Sequence, residues 1–386
     1  MPKITIYPSN WLYNAGVVGF LSCLDRYDYL QDYPDNEKKY SFEDNCVAIY
    51  NQVFSKIQVA SNYFENGRVI NLKGRNHYYR NFIDATGNQK WVFEKFVKAL
   101  SDNHNSGECY LCNNGIYVKK ENIHPQNTNQ TQENIDKFFN KIEGLNMAHN
   151  SILGPALLEP SKPPKFPNAY WNLNDKFKIC HLCAFIIIHH HLALTKLSDE
   201  SEIFINAPSF KVMYEMNKLV KELFGKEKLS GKQKREILAM SVIEYSRRLN
   251  VSLGMWNQMN LEIIQKSFQW DYSQGGRKKN FTIDSYSLPY HIVNLISDRK
   301  IASLLSEIGE FSVLNIVLNG EEKRLIDIGN KLIRIGLKPF QDRNKNDKAV
   351  LNNLLQREKN KNNIINTAQK ILELYVNISE RRKIYA

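Results

Sequence analysis

Two Cys-x-x-Cys pairs, Cys109-Tyr110-Leu111-Cys112 and Cys180-His181-Leu182-Cys183, lie 67 residues apart in a chain of 386. Two residues between thiolates let both sulfurs face one ion from a tight turn, and Gly115 allows the backbone to turn back beneath the first pair. Four thiolates from two knuckles make the tetrahedral set that Zn²⁺ favours. The spacing therefore predicts one structural zinc per chain on Cys109, Cys112, Cys180 and Cys183, and the gap between the pairs makes it a staple between distant segments, not an ordinary finger. The competing reading is two unrelated pairs, or a thioredoxin-like redox pair. A redox pair opens a helix in a βαβ setting, unlike the asparagine-rich stretch around Cys109. Structural zinc contributes about 10 to 16 kcal/mol in small peptides at neutral pH, enough to decide whether a loop is ordered. Four thiolates also close the coordination sphere, so a catalytic ion is not expected.

Charge narrows the partners. Lysine and arginine number 52 against 40 aspartates and glutamates, a formal charge of +12 that favours an anionic partner, nucleic acid being the commonest large one. A hydrophobic content of 42% rules out disorder throughout. The longest apolar stretch, Ala184 to Ile188 with its flanks, is interrupted by His189, His190 and His191 and falls far short of the about 20 residues that cross a bilayer. Met1 to Asn10 lacks the basic start, apolar middle and small-residue cleavage site of a secretory signal. A cytoplasmic protein with reduced cysteines and no membrane association is expected. Cys23 and Cys46 sit among apolar neighbours and read as small hydrophobes. The histidine triplet reads as a satisfied or partly exposed cluster.

The expected fold class is α+β: a mixed N-terminal body over 1–285, carrying a zinc-knuckle region at about 105–185, and a helical bundle over 286–386. In the body, Trp11 to Leu24 reads as a buried helix that packs closely through Gly16 and Gly19. Trp91 to Leu100, the run after Cys183 to Leu194, Lys211 to Phe224 and Lys232 to Leu249 also have helical spacing, while Arg68 to Leu72 is β-prone. Ser101 to Gln130 reads as a stapled loop, and four prolines between Pro160 and Pro167 as an extended connection. Asp271 to Asn280, with two adjacent glycines and a basic run, reads as an exposed loop. Beyond Pro289, three stretches carry i, i+3, i+4 apolar spacing: Ile292 to Leu305, Glu321 to Leu337, and Lys348 to Ile378.

No carboxylate cluster of a metal nuclease, phosphate-cradling loop or hydrolase elbow is evident, which shifts the expectation towards a binding protein without an active site. Two patches suit nucleic acid. Lys73, Arg75, Tyr78, Tyr79 and Arg80 interleave cations with stackable rings. Gln274, Arg277, Lys278, Lys279 and Asn280 form a tip able to enter a groove and touch base edges. Each reads equally well as a solvated surface. Lys162, Lys165, Lys176 and Lys178 surround Tyr170 and Trp171, and residues 321–386 hold 15 cations against 8 acids.

The opening, Asn10-Trp11-Leu12-Tyr13-Asn14-Ala15-Gly16-Val17-Val18-Gly19-Phe20, resembles the N-terminal signature of the CRISPR-associated Cst-type proteins, large subunits of type I-B Cascade. The two cysteine pairs match that family's zinc-binding feature. The resemblance covers about the first 25 residues and the two knuckles. It implies a non-catalytic subunit of a CRISPR RNA-guided surveillance complex that binds the 5′ handle of the guide RNA and recognises the protospacer-adjacent motif of target double-stranded DNA, with base pairing supplying the sequence specificity. Other Cascade backbone and small subunits are the implied partners, with a recruited helicase-nuclease or transposition proteins. Met255 or Met259 is a candidate internal start for a separate small subunit. The alternatives are a stand-alone metal-dependent nuclease and a structural zinc protein that bridges partners.

Overall fold

A computed structural model describes residues 3–26, 40–43, 45–50, 90–102, 107, 109, 111–112, 114–153, 179–197, 201–224, 239, 243, 261–271, 278–355 and 358–385. It is a mixture of helices and small sheets, and it divides into two compact units. One comprises Met1–Lys196, Glu200–Asn217 and Ile264–Asp284; the other comprises Leu197–Asp199, Lys218–Ile263 and Ser285–Ala386.

The first unit opens with strand β1 (Lys3–Ile6) and helix α1 (Trp11–Arg26), followed by β2 (Tyr40–Glu43) and β3 (Cys46–Tyr50). These strands form an antiparallel sheet in the order β1-β3-β2, in which Ile49 lies opposite both Ile4 and Tyr40. The central strand, Cys-Val-Ala-Ile-Tyr, is buried along nearly its whole length, as an apolar run without alternation requires. Helix α1 is apolar around most of its circumference and is correspondingly buried from Leu12 to Leu21. Its start is held by Asn10, whose side-chain oxygen accepts from the Tyr13 amide at 3.0 Å.

Helices α2 (Lys90–Asp102) and α3 (Gln132–Leu153) contribute four phenylalanines to one cluster. Phe96 meets Phe138 edge to face at 5.1 Å, and Phe93 lies 6.2 Å from Phe185 of α4 (His181–Ile187). The short helix α5 (His190–Ala193) leads into β4 (Thr195–Lys196), β5 (Glu202–Asn206) and α6 (Phe210–Phe224). Asn217 fastens α6 to β5 by accepting from the Ile205 amide at 2.9 Å and donating to the Ile205 carbonyl at 2.8 Å. Strands β6 (Leu261–Asp271) and β7 (Lys278–Leu288) complete a sheet in the order β4-β5-β6-β7. Lys266 on β6 is buried and meets Glu202 at 3.1 Å, the pairing a desolvated ammonium needs.

The C-terminal stretch is helical: α7 (Tyr290–Ile296), α8 (Arg299–Ile308), α9 (Phe311–Leu318), α10 (Lys323–Gly336), α11 (Lys345–Leu354), α12 (Glu358–Asn362) and α13 (Ile364–Tyr385). Helices α8 and α10 both pack on α13, burying Leu325, Leu332, Ala368, Ile371 and Leu374. Ion pairs Lys370–Glu307 at 2.8 Å and Arg381–Asp298 at 3.5 Å flank that packing. Buried Asn360 donates to the Ile308 carbonyl and to Glu310, both at 2.7 Å.

One expectation needs correction. The stretch Asp271 to Asn280 is not a loop throughout, because β6 extends to Asp271 and β7 begins at Lys278, which places Lys278, Lys279 and Asn280 on a strand. The stretches with helical apolar spacing, Ile292 to Leu305 and Lys348 to Ile378, are helical, and each comprises more than one helix. Asp298 ends one turn and caps the next helix, and α11, α12 and α13 share the second stretch. The prolines at 160–167, the basic stretch at 162–178 and the helix-like stretch from Lys232, apart from Ala239 and Ile243, lie outside the described residues, as do Met255 and Met259.

Candidate metal centre

The loop that follows α2 carries the first cysteine pair, and its path is dictated at Gly115. That residue has φ +57°, and a Cβ there would fall 1.6 Å from the Gly107 carbonyl oxygen. Only a residue without a side chain lets the two limbs of the loop touch in this way. Cys180 occupies the N-cap of α4 and Cys183 its first turn, so the amino-terminal end of one helix carries the whole second pair.

Three hydrogen bonds clamp the two segments. The Ile116 carbonyl accepts from the amides of His181 and Leu182, at 3.0 and 3.4 Å. The Val118 amide donates to Nδ1 of His181 at 2.9 Å, which requires the neutral ring. Burial pushes His181 down to about 4, in keeping with that role.

The sulfurs of Cys109, Cys112, Cys180 and Cys183 consequently lie within 4.8 Å of one another, and all four residues are buried. Cys109 stands 3.6 Å from Cys183, and Cys112 stands 3.6 Å from Cys180. A disulfide would bring sulfurs to about 2.05 Å. A tetrahedron with metal–sulfur bonds of about 2.3 Å has edges of about 3.8 Å, so the spacing fits a tetrahedral ion. Backbone amides already point at the sulfurs, from Cys180 to Cys109 at 3.3 Å and from Asn114 to Cys112 at 3.4 Å. Hydrogen bonds from its three neighbours hold the Cys109 thiol far below the usual thiol range, whereas burial drives Cys183 up. A cation removes this conflict by accepting four thiolates together. The cluster can hold a metal ion.

The opening segment is built onto this centre. The Asn114 side chain donates to the Thr5 carbonyl of β1 at 2.9 Å. Asn14 of α1 donates to the Ser9 carbonyl and to the Asn206 side chain, each at 2.9 Å. Gly16 and Gly19 then let α1 lie directly on the chain that follows the second pair. A Cβ on Gly16 would meet the Ile186 carbonyl oxygen at 2.7 Å, and one on Gly19 would meet that of His189 at 2.1 Å. Phe20 closes the contact edge to face with Phe185 at 5.6 Å and with His189 at 5.3 Å. The hydroxyl of Tyr13, also on α1, is buried. Desolvation, reinforced by the negative charge of the cysteines, pushes it well up, as it pushes Tyr117 to about 12.

The histidine triplet takes no part in the cysteine cluster. His189 and His190 are buried, with Nδ1 atoms 2.9 Å from the carbonyls of Phe185 and Ile187. Cys46 is buried in β3, its thiol donating to the Glu43 carbonyl at 2.8 Å. Lys73, Arg75, Tyr78, Tyr79, Arg80, Gln274 and Arg277 lie outside the described residues, and Lys278, Lys279 and Asn280 are described as backbone of β7. The clamp through Ile116 and His181 was missed from sequence. Its one visible sign was a histidine inside the second knuckle. No protein-family model, curated protein or solved structure matches this chain.

Proposed function

We propose that this chain is the non-catalytic large subunit of a CRISPR RNA-guided surveillance complex of the type I-B Cascade kind, with zinc as the ion of the four-cysteine centre. In this reading it binds the guide 5′ handle, recognises the protospacer-adjacent motif of target DNA and recruits a helicase-nuclease or transposition proteins. The observation that carries the proposal is that the opening signature and both cysteine pairs, the parts that resemble the Cst-type family, are components of one packed assembly. Asn10 caps α1, Asn14 ties it to β5, and Gly16 and Gly19 seat it on the chain that follows the second pair. A signature that supplies Asn10, Asn14, Gly16 and Gly19 to the same packed assembly as the cysteine pairs is what a shared architecture would require. The closed four-sulfur set suits a structural ion, and the formal charge of +12 suits polyanionic partners.

The test is to co-express the chain with its neighbouring genes, purify it and analyse bound RNA and metal together. A short discrete guide RNA with one zinc per chain is expected. A zinc-bearing monomer without RNA, especially one that cuts DNA when a divalent metal is added, overturns the proposal in favour of a nuclease. A nucleic-acid affinity that does not change with salt would favour a bridging zinc protein, because each phosphate contact otherwise makes log affinity fall by about 0.9 per log unit of salt.

A further inference from the structure

Five large apolar side chains stand exposed among the described residues, and three of them mark one end of α10: Leu337 at 71%, Phe340 at 73% and Ile365 at 39% exposure. Ile365 abuts the helix where it ends, since a Cβ on Gly336 would meet its Cγ1 at 2.7 Å. Leu337 follows at once, and Phe340 opens the short turn Phe340–Asp342. This turn is firmly built. The Asp342 amide donates to the Pro339 carbonyl at 3.0 Å, Nε of Arg343 donates to the Lys338 carbonyl at 3.3 Å, and Asn344 and Asp347 form a reciprocal cap on α11. The ring is therefore held out in water by its own backbone, with Arg343 5.6 Å and Lys348 5.7 Å from its centroid.

We infer that this corner docks an acidic, amphipathic segment of another protein. An ordered, exposed aromatic ring beside arginine, with exposed aliphatic side chains at the same end of α10, has the composition of an interface centre. Its electrostatics choose the partner. Residues 337–348 carry four cations against two carboxylates; Lys338 pairs with Asp347 at 2.8 Å, which leaves Arg343, Lys345 and Lys348 against Asp342. A second copy meeting this patch with its own would bring like charges together. Leu337 and Ile365 present no π-face to a nucleobase, so the aliphatic half of the patch selects protein side chains. Acidic residues flanking an apolar face complement both halves. The inference uses none of the residues that carry the surveillance-complex reading.

The test uses the full chain and fluorescence anisotropy with three labelled probes: a helical peptide with leucine and phenylalanine on one face and glutamate on the other, the same peptide with lysine replacing glutamate, and a single-stranded oligonucleotide. The acidic peptide is expected to bind, and Phe340→Ala to weaken it at least about tenfold without lowering the melting temperature. Replacing Arg343→Glu and Lys348→Glu together should transfer preference to the lysine peptide. Failure of the acidic peptide to bind, or indifference to both variants, overturns the inference. An oligonucleotide affinity that falls as far as the peptide affinity on Phe340→Ala reassigns the ring to base stacking. Self-association that Phe340→Ala abolishes reassigns the patch to a second copy.

Discussion

At Gly19 a single methyl group decides between two opposing effects. Alanine favours a helix over glycine by about 1 kcal/mol, yet here its Cβ would stand 2.1 Å from the backbone oxygen of His189, which cannot rotate away. Overpacking against backbone costs about 1–3 kcal/mol or more, so Gly19→Ala is expected to lower the denaturant midpoint despite the better helix former. The cysteines act on a larger scale. Cys109→Ser should reduce bound metal from one per chain to almost none and lower the melting temperature, readings available from elemental analysis and calorimetry; unchanged values would remove the staple. The clamp from Ile116 to α4 survives that substitution, so the aromatic cluster should stay folded. Both glycines and all four cysteines were legible in the sequence because each has a local signature. The clamp was not, since any residue offers a carbonyl and only the fold brings that of Ile116 to His181.

Helix ends show where periodicity stops being informative. Apolar spacing runs through Ile292 to Leu305 without a visible fault, but the Asp298 carboxylate accepts from the amides of Lys300 and Ile301, at 3.0 and 3.3 Å, and starts a new helix there. Asp298 also meets Arg381 of α13, so one side chain both begins α8 and secures it to a neighbour. Asp298→Ala should therefore cost about 1–2 kcal/mol, near the upper end for a lost cap, and Asp298→Asn about half as much, because the amide keeps the cap and loses the charge; equal losses in urea melts would refute this division. The strands β1, β6 and β7 were less legible than the helices. A short strand such as Lys-Ile-Thr-Ile offers too few residues to establish a period, and Gly275 and Gly276 drew attention to a loop while its flanks belonged to strands.

For the molecule as a whole, acid is the revealing stress. Burial pushes His189 down to about 3 and His181 to about 4 from 6.5, so both are neutral in the fold, while the unfolded chain takes up their protons below pH 6.5. The unfolded state then binds more protons, and stability, complete above pH 6.5, falls as the pH drops towards 4, by up to about 1.4 kcal/mol per unit for each histidine. His189→Gln, which can still donate to the Phe185 carbonyl, should flatten this slope in melts taken at stepped pH; an unchanged slope would mean that His189 already carries its charge. The close seating of α1 has a further consequence, in the order of synthesis. The surface that covers Gly16 and Gly19 emerges about 170 residues after the helix itself, on the order of ten to thirty seconds later at usual elongation rates. Throughout that interval an apolar helix waits without the surface on which it is finally seated. A nascent chain stalled before Cys180 would present both this helix and the two unmatched thiols of the first pair, which makes the early product a client for holding chaperones and its completion a single late event.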